Sequence, residues 1–437
     1  MHLPEVIIIM KRIIFLIIIL LLLIILSTCP GYFNNNHTIE NSSCNIPIIW
    51  KADIIRPFYF NMVSDNSGIY VYNYKENDFT TVRLNKIDPE TGKTLWTTDY
   101  FEEVTLYQPI IIDNYIYATL DDDIILCFNK NTGEPLARVR IVNNNPNMWV
   151  TSDYFYYKNY FYFGYGDLTD DDYYLGRINI NAINKNIGMK EQLFEPELMG
   201  KSHYNTRIRS KPIVYHDIVY FNTIVLDLDI PVELIGINII NNKEMFYEKF
   251  GGDGYYNFDR GKEINSLYII NEKLYYISES IAAYNLKTNN KIYHIIFDIN
   301  TQKNNDYGAG GFTVATYYNN MFYYTTTGSN YLGETGLKNI FCINANNGKL
   351  IWSDIPEKSE SLGTNPIIYD NKVFIPHMNG IRVYNADSGR LIAIEKSIEG
   401  NANSYNQLLG SKMITVEDSD EYPDGQIIAL DLSQITY

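Results

Sequence analysis

Two ten-residue stretches lying far apart in the chain, "IDPETGKTLW" at 87–96 and "INANNGKLIW" at 343–352, share one skeleton. An apolar residue precedes Asp or Asn, a polar turn leads to glycine and lysine, and tryptophan stands four residues after the glycine. Fainter copies are "FNKNTGEPLA" with Gly133, "INIINNKEMF" with Asn242 in the glycine place, "YNLKTNNKIY" with Asn289 and "YNADSGRLIA" with Gly389. A degenerate copy, "INAINKNIGM", covers 180–189, and "ALDLSQITY" at 429–437 brings the series to eight. Gly92 and Gly133 are 41 residues apart, as are Gly348 and Gly389. A β-rich unit repeating every 40–50 residues belongs to propeller blades of four strands.

The repeat has a local physical logic. Glycine, and with some strain asparagine, enters the left-handed backbone region cheaply, so Gly92, Gly133, Asn242, Asn289, Gly348 and Gly389 mark tight turns between two strands. A hairpin precedes each turn: "PIIIDNYIY" at 109–117, "PIVYHDIVY" at 212–220 and "PIIYDNKVF" at 366–374 place a two-residue polar turn between apolar runs. Composition agrees, since 39 Tyr and 20 Phe suit half-buried pleated surfaces.

The expectation is therefore all-β, an eight-bladed propeller with blades near 56–100, 101–145, 146–200, 201–250, 251–298, 299–356, 357–398 and 399–437. The last copy stops at its third strand. "NIPIIWKADI" at 45–54 resembles "NGKLIWSDI", so the N-terminal strand is expected to complete the last blade and remove an open edge.

Ahead of the ring, Lys11-Arg12 is followed by fourteen uncharged apolar residues, 13–26, a length that suits a secretory signal better than a membrane span. Residues 1–28 read as a signal peptide, with Met10 as an alternative start, and "LSTC" at 26–29 resembles a lipobox that would make Cys29 the lipidated residue. An ordinary signal that happens to end near a cysteine is the competing reading. Residues 29–44 are polar and Asn/Ser-rich, which suits a flexible tether, and 45–437 form a single domain.

The formal net charge of −16 argues against nucleic acid and against anionic lipid as charge-driven partners. Contact with a membrane is expected through the lipid anchor only. Cys127 and Cys342 occupy the same register in blades on opposite sides of the ring, so they are expected to be buried thiols rather than a disulfide. The acidic stretches at 121–123, 167–172 and 418–425 do not complete a calcium loop, and the six histidines show no metal-binding spacing. The glycine-rich "GGDG" at 251–254 and "GAGGF" at 308–312 precede hairpins rather than helices.

The pattern Ala-Leu-Asp-x-x-Thr-Gly-Lys-x-x-Trp, visible in the copies quoted above, resembles the repeat of pyrroloquinoline-quinone-type β-propellers. The resemblance implies that Trp50, Trp96 and Trp352 dock each blade against its neighbour, with Trp149 outside the pattern. The family has a dehydrogenase branch, which carries the quinone, calcium and in many members a disulfide of adjacent cysteines. It also has a non-catalytic branch, typified by the propeller lipoprotein of the outer-membrane β-barrel assembly machine. No two cysteines are adjacent here and the dehydrogenases' large inserts are missing, so the non-catalytic branch is favoured, with no catalytic residue, cofactor or metal assigned. The implied function is an exported scaffold, a monomer or a subunit of a complex, that binds envelope proteins through its loops. A quinone-dependent dehydrogenase and a surface adhesin are the alternatives.

Overall fold

In most blades the first hairpin is turned by residues that tolerate left-handed backbone. Lys158-Asn159, His216-Asp217, Asn271-Glu272, Asn319-Asn320 and Asp370-Asn371 all have both φ values between 45° and 69°. Paired positive φ is the geometry that matches the twist of two antiparallel strands. The next strand enters the interior at once, and its third residue is Tyr70, Tyr117, Tyr162, Tyr220, Tyr275 or Tyr323 in the first six blades, each at most 2% exposed. The tyrosine-rich composition is thus concentrated where blades meet.

The computed structural model describes residues 43–437 other than 56–61, 76–77, 103–107, 121–122, 143–146, 168–171, 204–206, 209–210, 225–231, 251–266, 278–279, 297–314, 326–339, 355–364, 378–379, 399–405 and 418–424. Its strands form eight antiparallel blades in chain order, a β-propeller. Eight hydrophobic clusters fill it, each built from two consecutive blades. One joins Tyr70 and Leu84 to Ile116 and Leu126, and another joins Trp352 to Val373 and Tyr384. Stability therefore resides in the joints between blades, not in one central core.

The ring closes with Ile48–Ile55 pairing antiparallel to Gln426–Asp431, Trp50 opposite Ala429. The N-terminal strand thus completes the last blade. Glu395, 2% exposed, secures the seam by accepting hydrogen bonds from Ile46 N (2.8 Å), Ser397 N (2.7 Å) and Ser397 Oγ (2.6 Å). Lys51 also pairs with Glu417 across it. Ser43 and Cys44, which the sequence assigns to the tether, already touch the ring: Ser43 forms a parallel bridge with Ile394, and Cys44 is buried in the same cluster as Ile46 and Ala393.

Blade 3 departs from the simple pattern. After its third strand, Asp172–Asn179, the chain makes a short 3-10 turn at Ile180–Ala182. Gly188–Phe194 then leaves the blade and pairs in parallel with Pro135–Ile141, the outer strand of blade 2, before Glu197–Lys201 returns as the fourth strand of blade 3. The degenerate copy at 180–189 is degenerate for this reason.

Blade 8 is built the same way. Its third strand is also followed by a 3-10 turn, Leu432–Gln434, and Ser43 lies parallel to the outer strand of blade 7 before the chain enters the fourth strand of blade 8. Where Asn45 and Thr436 exchange backbone hydrogen bonds (2.9 and 3.1 Å), blade 3 has Asn184 and Gln192 joined through the glutamine side chain (2.8 and 3.0 Å). One seam is made by two separated segments and the other by continuous chain.

Candidate interaction surfaces and the joints that position them

In the repeated phrase, Asp88 shows how the turn is held. Its side chain accepts from Glu90 N and Thr91 N, both at 2.8 Å, and its carbonyl accepts from Gly92 N at 2.9 Å. Asn129, Asn238, Asn285, Asn344 and Asn385 repeat the side-chain arrangement. Self-bonding of this kind is the physical reason for Asp or Asn at that place. The glycines have φ of 72° (Gly92), 73° (Gly133), 70° (Gly348) and 67° (Gly389), and Asn242 and Asn289 have 55° and 56°.

Directly after each turn a β-bulge inserts one aliphatic residue. Ladder pairs jump from Ile87–Thr94 to Lys86–Trp96, leaving Leu95 unpaired. The same jump leaves out Leu136, Met245, Ile292, Ile351, Ile392 and Ile49. A bulge re-aims the residue that follows it. Here it turns the next side chain inward, onto the neighbouring blade.

What arrives there is an aromatic ring over a glycine. A Cβ on Gly92 would stand 2.6 Å from Trp50, on Gly133 2.7 Å from Trp96, and on Gly389 2.4 Å from Trp352. Each indole N–H donates to the carbonyl three residues before that glycine, Pro89 (3.1 Å), Lys130 (3.1 Å) and Ala386 (2.8 Å). Tyr293 serves Gly348 likewise, its hydroxyl donating to Ala345 O at 2.9 Å. At the joint from blade 3 to blade 4, Arg177 donates to Ile239 O (2.9 Å) and is held by a two-pronged bond to Glu197 (2.8 and 2.6 Å). Sequence comparison with tryptophan misses both substitutes, because only the donated hydrogen bond is common to all five.

The two ends of the ring differ. First-to-second and third-to-fourth strand turns share one end and, outside blades 3 and 8, are short and self-bonded. At the opposite end emerge the second-to-third connections and the crossings between blades. The longest separate Phe250 from Leu267, Ile296 from Thr316 and Thr325 from Ile340, all at blades 5 and 6. The two glycine-rich stretches belong to these connections and lie outside the described residues, as do most of the three acidic stretches, Cys29 and the remainder of residues 1–42.

At the connection-bearing end, Asp153 and Lys211 face each other from equivalent places in blades 3 and 4, Oδ2 to Nζ 3.7 Å. Burial raises the Asp153 carboxyl above its usual range, against the pull of Lys211. Glu233, fully buried, accepts from Ser202 Oγ (2.7 Å) and His203 N (3.2 Å). Such groups link blades. Cys44, Cys127 and Cys342 are buried free thiols, pushed up by burial to about 11, about 11 and about 12. They stay protonated at neutral pH and lack the thiolate that nucleophilic chemistry requires.

The quinone and calcium of the dehydrogenase branch call for converging acidic ligands. Among the described residues no group of three or more His, Cys, Asp or Glu side chains is placed to hold a metal ion. Among the described residues, no helix is long and apolar enough to cross a membrane.

The fold defines the class: an eight-bladed β-propeller. BamB from Moraxella catarrhalis is similar, at 11% identity and a TM-score of 0.53 over 91% of this chain and 98% of that one. A europium-containing methanol dehydrogenase matches at 11% identity and 0.60 over 89% and 93%. The quinohemoprotein alcohol dehydrogenase of Comamonas testosteroni matches at 9% and 0.62 over 89% and 76%. No protein-family profile and no curated protein matches the sequence. Likenesses at this identity establish the fold and leave the activity open.

Proposed function

We propose that the protein is a non-enzymatic scaffold of the bacterial cell envelope, tethered through lipidated Cys29 and binding other envelope proteins. The observation that carries this reading is the division of labour between the two ends of the ring. One end is largely taken up by short turns that satisfy themselves, while the longest connections leave the other, at blades 5 and 6 above all. Loops carried on a rigid ring are the usual place for recognition. The near end-to-end match with BamB supports the reading without establishing it. Outer-membrane barrel assembly is the role we assign.

The test is affinity capture from detergent-solubilised envelope, with wild-type chain and a Cys29→Ser variant. The expected result is recovery of a barrel-assembly subunit by the wild type and release of the variant from the membrane fraction. Repeated capture without any such subunit would overturn the assignment.

A further inference from the structure

Blade 2 carries a strand that its own sheet does not need. Residues 184–196 run between two anchored points of blade 3, the 3-10 turn with its buried Ile180 and Ile183 and the fourth strand Glu197–Lys201. Between those points Gly188–Phe194 lies as a strap along the outer edge of blade 2. Both blades have four strands without it. The strap is held lightly. Its pairing is parallel, alone in this among the described strands, and Met189 and Lys190 are skipped by the ladder, so only Glu191–Phe194 runs in step with Arg138–Ile141. None of its residues is buried, and Leu193 is 65% exposed.

Two side chains fasten the strap to blade 2. Glu191 reaches both Arg138 (3.4 Å) and Arg140 (3.1 Å), and Phe194 packs half-buried against the cluster that holds Ile141 and Ile183. All three members of the ion cluster are partly open to water, where such pairs hold weakly. Gln192 bonds to Asn184, in the strap's own connection, and not to blade 2. The edge under the strap therefore offers a backbone ladder, two arginines on one face in a chain of net charge −16, and an apolar seat three residues further along. Backbone pairing with spaced side-chain seats is how strand addition combines affinity with selectivity.

We propose that Gly188–Phe194 is a releasable cover, and that the edge of blade 2 beneath it binds an extended segment of a partner protein. The segment lies parallel to Arg138–Ile141, with a carboxylate between the two arginines and a large apolar side chain three residues later in the place of Phe194. Tied at both ends, the strap competes with it at an effective concentration on the order of millimolar. The partner's apparent affinity is thus reduced by the fraction of time the edge stays covered. Only the protein nature of the ligand is taken from the scaffold reading, and binding to the purified chain can fail without changing the outcome of the envelope capture.

The probe is a fluorescent peptide with this chain's own residues 186–196, NIGMKEQLFEP, titrated with full-length protein and followed by anisotropy. Glu191→Lys, on an exposed side chain, sets a cation beside Arg138 and Arg140 and loosens the strap. This variant is expected to bind the peptide about tenfold or more tighter than wild type, with faster hydrogen exchange at 189–194 and an unchanged melting curve. Adding Arg138→Glu and Arg140→Glu to it reverses the charges, so the strap closes again, exchange at 189–194 slows and the peptide is lost. Equal affinity of wild type and Glu191→Lys, no saturation of Glu191→Lys by about 5 mM, or tight binding that the charge-reversed chain retains would overturn the assignment to this edge.

Discussion

The indole of Trp352 occupies the space that a side chain at residue 389 would need. A Cβ on Gly389 would stand 2.4 Å from it, and the same indole donates to Ala386 O at 2.8 Å. Glycine is required there twice over, for its φ of 67° and for the ring above it. Gly389→Ala is expected to destabilise the protein by about 2–4 kcal/mol, from left-handed strain and overpacking together. The double variant with Trp352→Ala should fall short of the sum of the single losses, because the clash is then relieved. Urea unfolding of the four proteins checks both statements.

Glu395 is the polar fastening of the seam. Glu395→Ala leaves buried Ile46 N without its acceptor, while Ser397 N and Oγ, on an exposed residue, can turn to water, at a cost of about 2 kcal/mol. Loss should begin at the closing strand. Hydrogen exchange is expected to accelerate across residues 43–55 before it does in blades 2 to 6.

Asp153 gives a pH dependence with a definite sign. Its carboxyl is raised in the folded protein by burial, so the folded state holds a proton that the unfolded chain has already released. Its contribution to stability therefore falls as the pH rises from about 4, the unfolded value, through the raised folded value. Asp153→Asn is expected to flatten that part of the stability profile in chemical denaturation. An unchanged profile would mean that Lys211 compensates the buried charge fully.

The equivalence of the seams in blades 3 and 8 predicts a tolerated rearrangement. Joining Tyr437 to Ser43 through a short linker and opening the chain between Lys185 and Asn186 moves the break from one seam to the other. The permuted protein is expected to keep its circular dichroism and cooperative unfolding. Opening between Thr132 and Gly133 instead cuts a turn that carries Trp96, and is expected to lower the unfolding midpoint.

Much of this architecture was legible before any coordinates. The turn residues, the hairpins and the closing role of residues near Trp50 follow from period, φ preference and alternation, all local properties of the chain. The choice between Gly and Asn in the turns was only half legible. Both satisfy positive φ, but Gly92, Gly133, Gly348 and Gly389 lie under a ring from the preceding blade. Asn242 instead faces the Arg177–Glu197 pair, and Asn289 turns its amide to Met245 O (3.2 Å). That distinction is made by a neighbour 37 to 65 residues earlier in sequence, so no local pattern reports it. The departure of Gly188–Phe194 to blade 2 was hidden for the same reason: parallel pairing leaves no hairpin signature. As for the binding surface, sequence points to the loops.

The bulges have one more consequence. A ring of blades exposes a row of sheet margins around its rim, and flat margins would let neighbouring rings zip together into fibres in a crowded compartment. Each inserted aliphatic residue throws the first rungs of its margin out of step, so two rims meeting face to face find no long common ladder. The protein can thus remain a separate particle, and the one rim margin that carries a further strand, on blade 2, takes it past the irregularity from its own chain.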